Sequence, residues 1–372
     1  MKHFIYFLFV VFIVVGCTKQ IEKVPVIYST DLYQPSEDPD DHYDLAILTS
    51  LPELDLRAIV FDNAADWRDA TKEAGIGALR QISDIARRPI PPYATGLREQ
   101  LTSQQDKAEN QPAESQKGVE LIIKTLRESQ EKVILFLVGS CRDFAVAFNR
   151  EPDLLRKKVK AIYVNAGNGP DGKQSEYNVM LDPQAYACLM KSGLPIYWAP
   201  CFSLQNLRQT TKEEVIKGDK RSFNTYYIVP NQAKLLESAS DKLKNYFAYA
   251  LNKRQSNPIN FLSQPVDSLP ENARNMWCTA PFFHAAGRKI YLHNGQYSAY
   301  SPEKAKKMGV ADKEISVYEF KHIRIEEEET ADGIMFKGVL DTPQSNIKVF
   351  RYINPEYNDI MVSALSQLLG EL

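Results

Sequence analysis

Val24-Pro-Val-Ile-Tyr-Ser-Thr-Asp31-Leu-Tyr-Gln-Pro-Ser-Glu37-Asp38-Pro39-Asp40-Asp41-His42-Tyr43 is the stretch whose reading decides the fold. Val24 to Tyr28 is apolar and strand-like, and Tyr43 to Leu51 has the spacing of a helix. Between them, the eleven residues Asp31 to Asp41 carry five carboxylates. In an α/β chain such a junction lies at the carboxyl end of a strand, where ligands bind, and clustered acids there suit a hard cation such as Ca2+. Asp38-Pro39-Asp40-Asp41 is also a good helix start, with an Asp at the N-cap, Pro at the first helical position and acids facing the positive end of the dipole. Capping leaves Asp31 and the second of the adjacent aspartates unexplained.

Outward from this stretch, strand-like runs recur at Leu56 to Phe61, Val133 to Val138, Ala161 to Val164 and Leu194 to Trp198, with a weaker one near Ile90 to Tyr93. Helical spacing fills the intervals at Ala70 to Ala86, Gly118 to Arg127, Phe144 to Arg150 and Pro183 to Met190. This alternation predicts an α/β fold with a mostly parallel central sheet flanked by helices, a Rossmann-like open sheet. After Cys201 the alternation stops. Residues from about Thr210 to Arg254 read as helical and polar, a loop runs to Glu271, and a helix is expected over Trp277 to Ala286. Strands at Lys289 to His293, Ser316 to Ile325 and Ile334 to Val339 follow, the last two forming a C-terminal antiparallel hairpin around Ala331-Asp332-Gly333, and Ile360 to Leu369 reads as an amphipathic helix. No repeat or low-complexity linker divides residues 24–372, so one domain is expected there.

Residues 1–16 have a basic start, an apolar core from Phe4 to Val15 and then Gly16-Cys17, the pattern of a lipoprotein signal peptide. Cys17 is then the lipidation site, residues 17–23 a tether, and the protein is extracytoplasmic, anchored to a bacterial membrane through lipid on Cys17. The balance of 45 basic against 47 acidic residues offers no electrostatic footprint for nucleic acid. Cys141, Cys188, Cys201 and Cys278 match no zinc spacing and read as buried thiols, a Cys188 to Cys201 disulfide being permitted in an oxidising compartment.

Further along, four segments resemble one family in order. Ser29-Thr30-Asp31 with Asp40-Asp41, Leu56-Arg-Ala-Ile-Val-Phe-Asp-Asn63, Val133-Ile-Leu-Phe-Leu-Val-Gly-Ser-Cys-Arg142-Asp-Phe-Ala145 and Ser175-Glu176-Tyr-Asn178-Val-Met-Leu-Asp182-Pro183 resemble motifs of the inosine-uridine preferring nucleoside hydrolase superfamily, and Asn346-Ile-Lys-Val349 resembles its final strand. The resemblance implies a hydrolase of N-glycosidic bonds of ribonucleosides or related ribosides, with Ca2+ as cofactor. By position, Asp31, Asp41 and the Arg142 backbone carbonyl would be metal ligands, Asp40 the base that activates water, and Asn63, Glu176 and Asn178 the residues that hold ribose.

The chain also departs from the family pattern. Its first aspartate is Ser29 here, the loop to Asp40 is longer, and the late His-Asp-Pro is replaced by Thr279-Ala280-Pro281. Asp38 or Glu37 is therefore expected to supply the lost metal ligand, and His284, one turn past Pro281, to serve as a replacement acid or as a core histidine. His42 and Asp62 lie beside the motif residues, Trp67 and Trp277 read as core or as stacking surfaces, and Ser140 lacks the flanks of a nucleophile elbow. A homologue that binds a sugar or nucleoside without cleaving it, or a hydrolase of another glycoside, is the alternative reading. The sequence leaves oligomeric state open, a homo-oligomer included.

Overall fold

In the computed structural model, which describes residues 23–33, 39–63, 75–170, 176–201, 222–330, 333–340 and 342–372, Val24–Thr30 forms the strand β1 near the centre of a nine-stranded sheet. β1 pairs in parallel with β2 (Leu54–Phe61) on one side and β4 (Val133–Leu137) on the other. Paired on both edges and covered on both faces, it can be apolar throughout: Val26 and Tyr28 enter one core layer, Ile27 the opposite one. β3 (Tyr93–Thr95) lies beyond β2, and β5 (Val159–Val164) and β6 (Ile196–Trp198) lie beyond β4.

Helices separate these strands as parallel connections require. On one face, α1 (Asp40–Ser50) and α2 (Ile76–Ala86) pack with the C-terminal helix Tyr357–Leu369. On the other lie α3 (Lys117–Glu128), α4 (Arg142–Arg150), α5 (Pro152–Lys158), the short α6 (Tyr177–Leu181) and α7 (Pro183–Met190). From Asp41 to Leu48 every residue of α1 is buried, so this helix has no solvent face on which polar side chains could be placed cheaply.

A buried knot fixes the tip of β4. Arg142, fully hidden in the first turn of α4, pairs through Nε with Asp182 Oδ2 at 2.8 Å, and its guanidinium also donates to the carbonyls of Leu181, Leu97 and Arg98. Asp182 caps α7 by accepting Ala185 N–H at 2.9 Å and accepts Leu101 N–H at 2.9 Å. A charge removed from water needs this degree of satisfaction.

The carboxyl-terminal part departs from the sequence reading. Where continuous helix was expected up to Arg254, the described residues contain a strand, β7 (Tyr227–Val229), before the helices Gln232–Leu235 and Asp241–Leu251. Tyr227-Ile228-Val229 is a β-type triplet, and it pairs antiparallel with β8 (Arg274–Met276), a partner too short to announce itself in sequence. The loop expected after Arg254 contains a helical turn, Pro258–Phe261, capped by the Asn257 side chain. β9 (Lys289–His293) hairpins onto β10 (Gln296–Tyr300) through Asn294 and Gly295, both at positive φ (51° and 76°), the conformation that favours an Asn-Gly turn. With β11 (Glu314–Ile315) they form a separate antiparallel sheet. β12 (Tyr318–Thr330) and β13 (Gly333–Leu340) form the expected hairpin, and β12 joins the central sheet antiparallel to β14 (Ile347–Tyr352), which itself runs parallel to β6.

Candidate functional site at the strand tips

The carboxyl ends of β1, β2, β4 and β5 converge, and this is where the acids of the opening motif lie. Asp31 follows β1. The preceding Thr30 accepts Leu32 N–H at 3.1 Å and donates its hydroxyl to Asp41 Oδ1 at 2.7 Å, tying the strand tip to the first turn of α1. Tyr28 donates to the same oxygen at 3.3 Å. No side chain of the N-cap residue Pro39 caps α1, and Asp40 and Asp41 occupy its first turn. Asp38 and Trp67 lie outside the described residues, as do residues 1–22, which include Cys17.

β4 approaches closely because residue 139 is glycine: a Cβ there would come within 2.6 Å of Asp62 Oδ2 and 3.2 Å of Asp31 Cβ. Asp62 accepts Ser140 N–H at 2.6 Å and Ser140 O–H at 2.9 Å. Next to it Asn63 is 8% exposed, and its Oδ1 lacks a hydrogen-bond partner. Across the crevice Glu176 accepts Gly167 N–H at 2.9 Å and Asn178 N–H at 3.0 Å, while Asn178 Nδ2 donates to Asn165 O at 2.8 Å and Val138 O at 3.2 Å.

Electrostatically these acids act on one another. Burial, then the neighbouring Asp41, Asp44 and Asp31, hold the Asp40 carboxyl well above the usual carboxylate range. Burial and the Asp31 charge raise Asp62, and burial pushes Glu176 up to about 7. Arg274, on β8, faces Asp40 from 3.8 Å and is itself pushed down to about 10 by burial. Cys201 and Cys278, both buried and unbridged, border the same acids, and burial raises both thiols.

Asp44 was not singled out by the sequence reading. It lies one turn along α1 from Asp40 and Asp41 and is 1% exposed, and neither carboxylate oxygen has a hydrogen-bond partner of acceptable geometry. The neighbouring Cys278 thiol is a weak donor, and burial pushes Asp44 up to about 8. An acid within the apolar run after Asp40-Asp41 was the available signal.

Two expected residues are placed elsewhere. Arg142 is the first residue of α4, with its side chain held in the buried knot, and the carbonyl that accepts from Asn178 Nδ2 is that of Val138. His284, on the helix Thr279–Ala285, is directed away from the acids into a cage of Tyr163, Tyr197 and Phe320, with Nδ1 2.7 Å from Tyr163 OH. Burial, then Lys289 and Lys348, lowers it to about 4. Trp277 packs on Tyr226 and is part of the core, and His42 is fully buried with Nε2 3.2 Å from Tyr33 O.

Among the described residues no three His, Cys, Asp or Glu side chains converge on one point. The donor set nevertheless fits a hard divalent cation: oxygen ligands, an excess of negative charge, and buried oxygens on Asp44 and Asn63 without partners.

The model of the family described as inosine-uridine preferring nucleoside hydrolase matches residues 26–268. A pyrimidine-specific ribonucleoside hydrolase RihA of an Enterobacter species is 28% identical over 202 residues, covering 50% of this chain and 61% of that protein. The enzyme of the same description from Citrobacter koseri is 28% identical over 194 residues, with 47% and 59% covered. The chain therefore spans about three-fifths of the length of these relatives. The crystal structure of an inosine-uridine preferring nucleoside hydrolase from Bacillus anthracis shares the fold, with a TM-score of 0.53 at 14% identity over 94% of this chain and 100% of that one.

Proposed function

The chain belongs to the inosine-uridine preferring nucleoside hydrolase family, and from that premise we propose that the strand-tip crevice hydrolyses the N-glycosidic bond of ribonucleosides or related ribosides. The observation that carries this reading is the meeting of Asp31, Asp40 and Asp41 at β1 and α1 with Glu176 and Asn178 across the tips of β4 and β5, their carboxylates close enough to perturb one another.

Asp31 and Asp41, with the Val138 carbonyl, are the groups that would hold Ca2+. When bound, the ion supplies a fixed positive charge that acidifies water and anchors a vicinal diol. Asp40, whose basicity is raised by burial and neighbouring charge, receives the proton of the attacking water at its carboxylate. Glu176, Asn178 and Asn63 satisfy the ribose hydroxyls and face the positive charge that develops on the sugar ring as the bond breaks. Thr279 and Ala280 supply no acid to the leaving group: the Thr279 hydroxyl is 2.7 Å from Tyr227 OH, and Ala280 has none. Ribosides whose leaving group departs without protonation are therefore the favoured substrates.

The protein should release free sugar from p-nitrophenyl riboside, uridine or inosine in the presence of Ca2+, and Asp40→Asn should lower that rate by at least about 10³-fold. Equal inertness of wild type and variant across the panel sinks the catalytic reading. The loss of the late His-Asp favours a second reading, a binder of ribosides without turnover. Calorimetric heat with ribose or nucleosides and no sugar release would establish it.

A further inference from the structure

Every other strongly buried aspartate described above or nearby has partners. Asp182 has Arg142 and two backbone amides, Asp62 has Ser140, and Asp143 accepts Leu97 N–H. Asp44 is hidden to the same degree, yet both of its oxygens lack a geometrically sound hydrogen bond. A buried carboxyl with the weak Cys278 thiol as its neighbouring donor is a cost to the fold that a bound cation would offset.

Its position indicates which ligand. Asp44 follows Asp41 by three residues and Asp40 by four, so the three acids share one face of α1, and the Asp31 charge reaches Asp44 as well. The helix Thr279–Ala285 packs against α1, and Cys278 at its N-terminal end neighbours Asp44. Its Ala280 is fully buried and replaces the acid that the family pattern places there. A carboxylate is thus missing from one side of a helix–helix contact, and an unpartnered one is present on the other.

We propose that Asp44 supplies from α1 the carboxylate lost at Ala280, so that a divalent cation in the crevice is held by Asp31, Asp41 and Asp44. This rests on the cation reading given under the proposed function. Asp44 takes over the role the sequence reading gave to Asp38 or Glu37, and a rotation of the three side chains toward a common point accompanies binding. One turn of helix sets the spacing of two of the ligands, and the tip of β1 sets the third.

The test is calorimetric titration of CaCl2 into the purified protein, with thermal melting in the presence and absence of Ca2+. Asp44→Asn should lower Ca2+ affinity at least about tenfold and shrink the Ca2+-induced rise in Tm, because one anionic ligand of three is removed. Asp44→Asn combined with Ala280→Asp should recover most of the loss. The melt without Ca2+ confirms that each variant is folded, and Asp44→Ala with Ala280→Asp serves in its place should the Asn variants not fold. Wild-type binding with an unchanged affinity in Asp44→Asn overturns the role of Asp44 and leaves the proposed function standing. Absence of Ca2+ binding by wild type overturns both.

Discussion

Asp182 and Asp44 are equally hidden, at 0% and 1% exposure, and occupy opposite electrostatic environments. Around Asp182 the protein has assembled a guanidinium and two amides, which join α4, α6 and α7 into one unit. At the strand-tip crevice Asp31, Asp40, Asp41 and Asp44 press on one another, with Arg274 facing Asp40 from 3.8 Å. Burial alone therefore does not separate an acid that holds the fold from one that serves a ligand. The partners separate these two: Asp182 has its donors in place, whereas the Asp44 oxygens have no hydrogen-bond partner of acceptable geometry.

The sharpest way to break that comparison is to remove the satisfied acid. Asp182→Ala leaves Arg142 charged, buried and without its carboxylate, and it also removes the cap of α7. Breaking one side of such a pair costs about 3–5 kcal/mol, which urea unfolding followed by circular dichroism reads as a lower midpoint. A loss under about 1 kcal/mol would mean that the knot behaves like a surface pair and that the contrast with Asp44 has no energetic content.

The unequal legibility of the two regions has the same origin. β1, β2 and β4 to β6 were readable because a parallel strand covered on both faces is a continuous apolar run, as in Val24 to Tyr28 or Val133 to Val138, whereas the edge strand β3 overlaps its weaker run only at Tyr93. Asp31, Asp40, Asp41, Glu176 and Asn178 were readable because loops at strand tips concentrate polar residues in short motifs. Asp44 was not, since an acid inside Tyr43 to Leu51 looks like a polar position on an amphipathic helix until α1 is seen to be buried on all sides. The Val138 and Asn165 carbonyls that accept from Asn178 were invisible for another reason: backbone direction and loop packing decide which groups meet there. β7, β8 and β10 failed because three- and five-residue strands in a polar context carry little pattern, although Asn294-Gly295 was a usable hairpin signal.

A smaller effect separates the acidic crevice from the aromatic cage of His284. Folding lowers His284 from about 6.5 to about 4, mainly by burial, so the neutral ring is the form the native state prefers. On unfolding below about pH 6.5 the ring takes up a proton; this contribution is intact above that pH, declines as pH falls, and levels off below about 4. His284→Phe keeps an aromatic ring in the cage and removes the titration. Its stability should fall less steeply than that of wild type between those limits, by at most about 1.4 kcal/mol per pH unit. The fully buried His42, also lowered to about 4 by burial, keeps part of the acid limb in both proteins. Parallel limbs in the two proteins would show that the cage is open to water.

The smallest expected effect concerns Cys201, which borders the crevice, and Cys188 on α7. Cys201 accepts a hydrogen bond from Asn165 Nδ2, and Cys188 lies across from Asn149 Oδ1 at 3.5 Å, so each sulfur is engaged on its own and no disulfide joins them. Both thiols are also raised by burial, Cys188 to about 11, which suppresses the thiolate through which exchange proceeds. A reductant should therefore leave Tm unchanged, because no cross-link restricts the unfolded chain. A drop of several degrees on reduction would reveal a bridge.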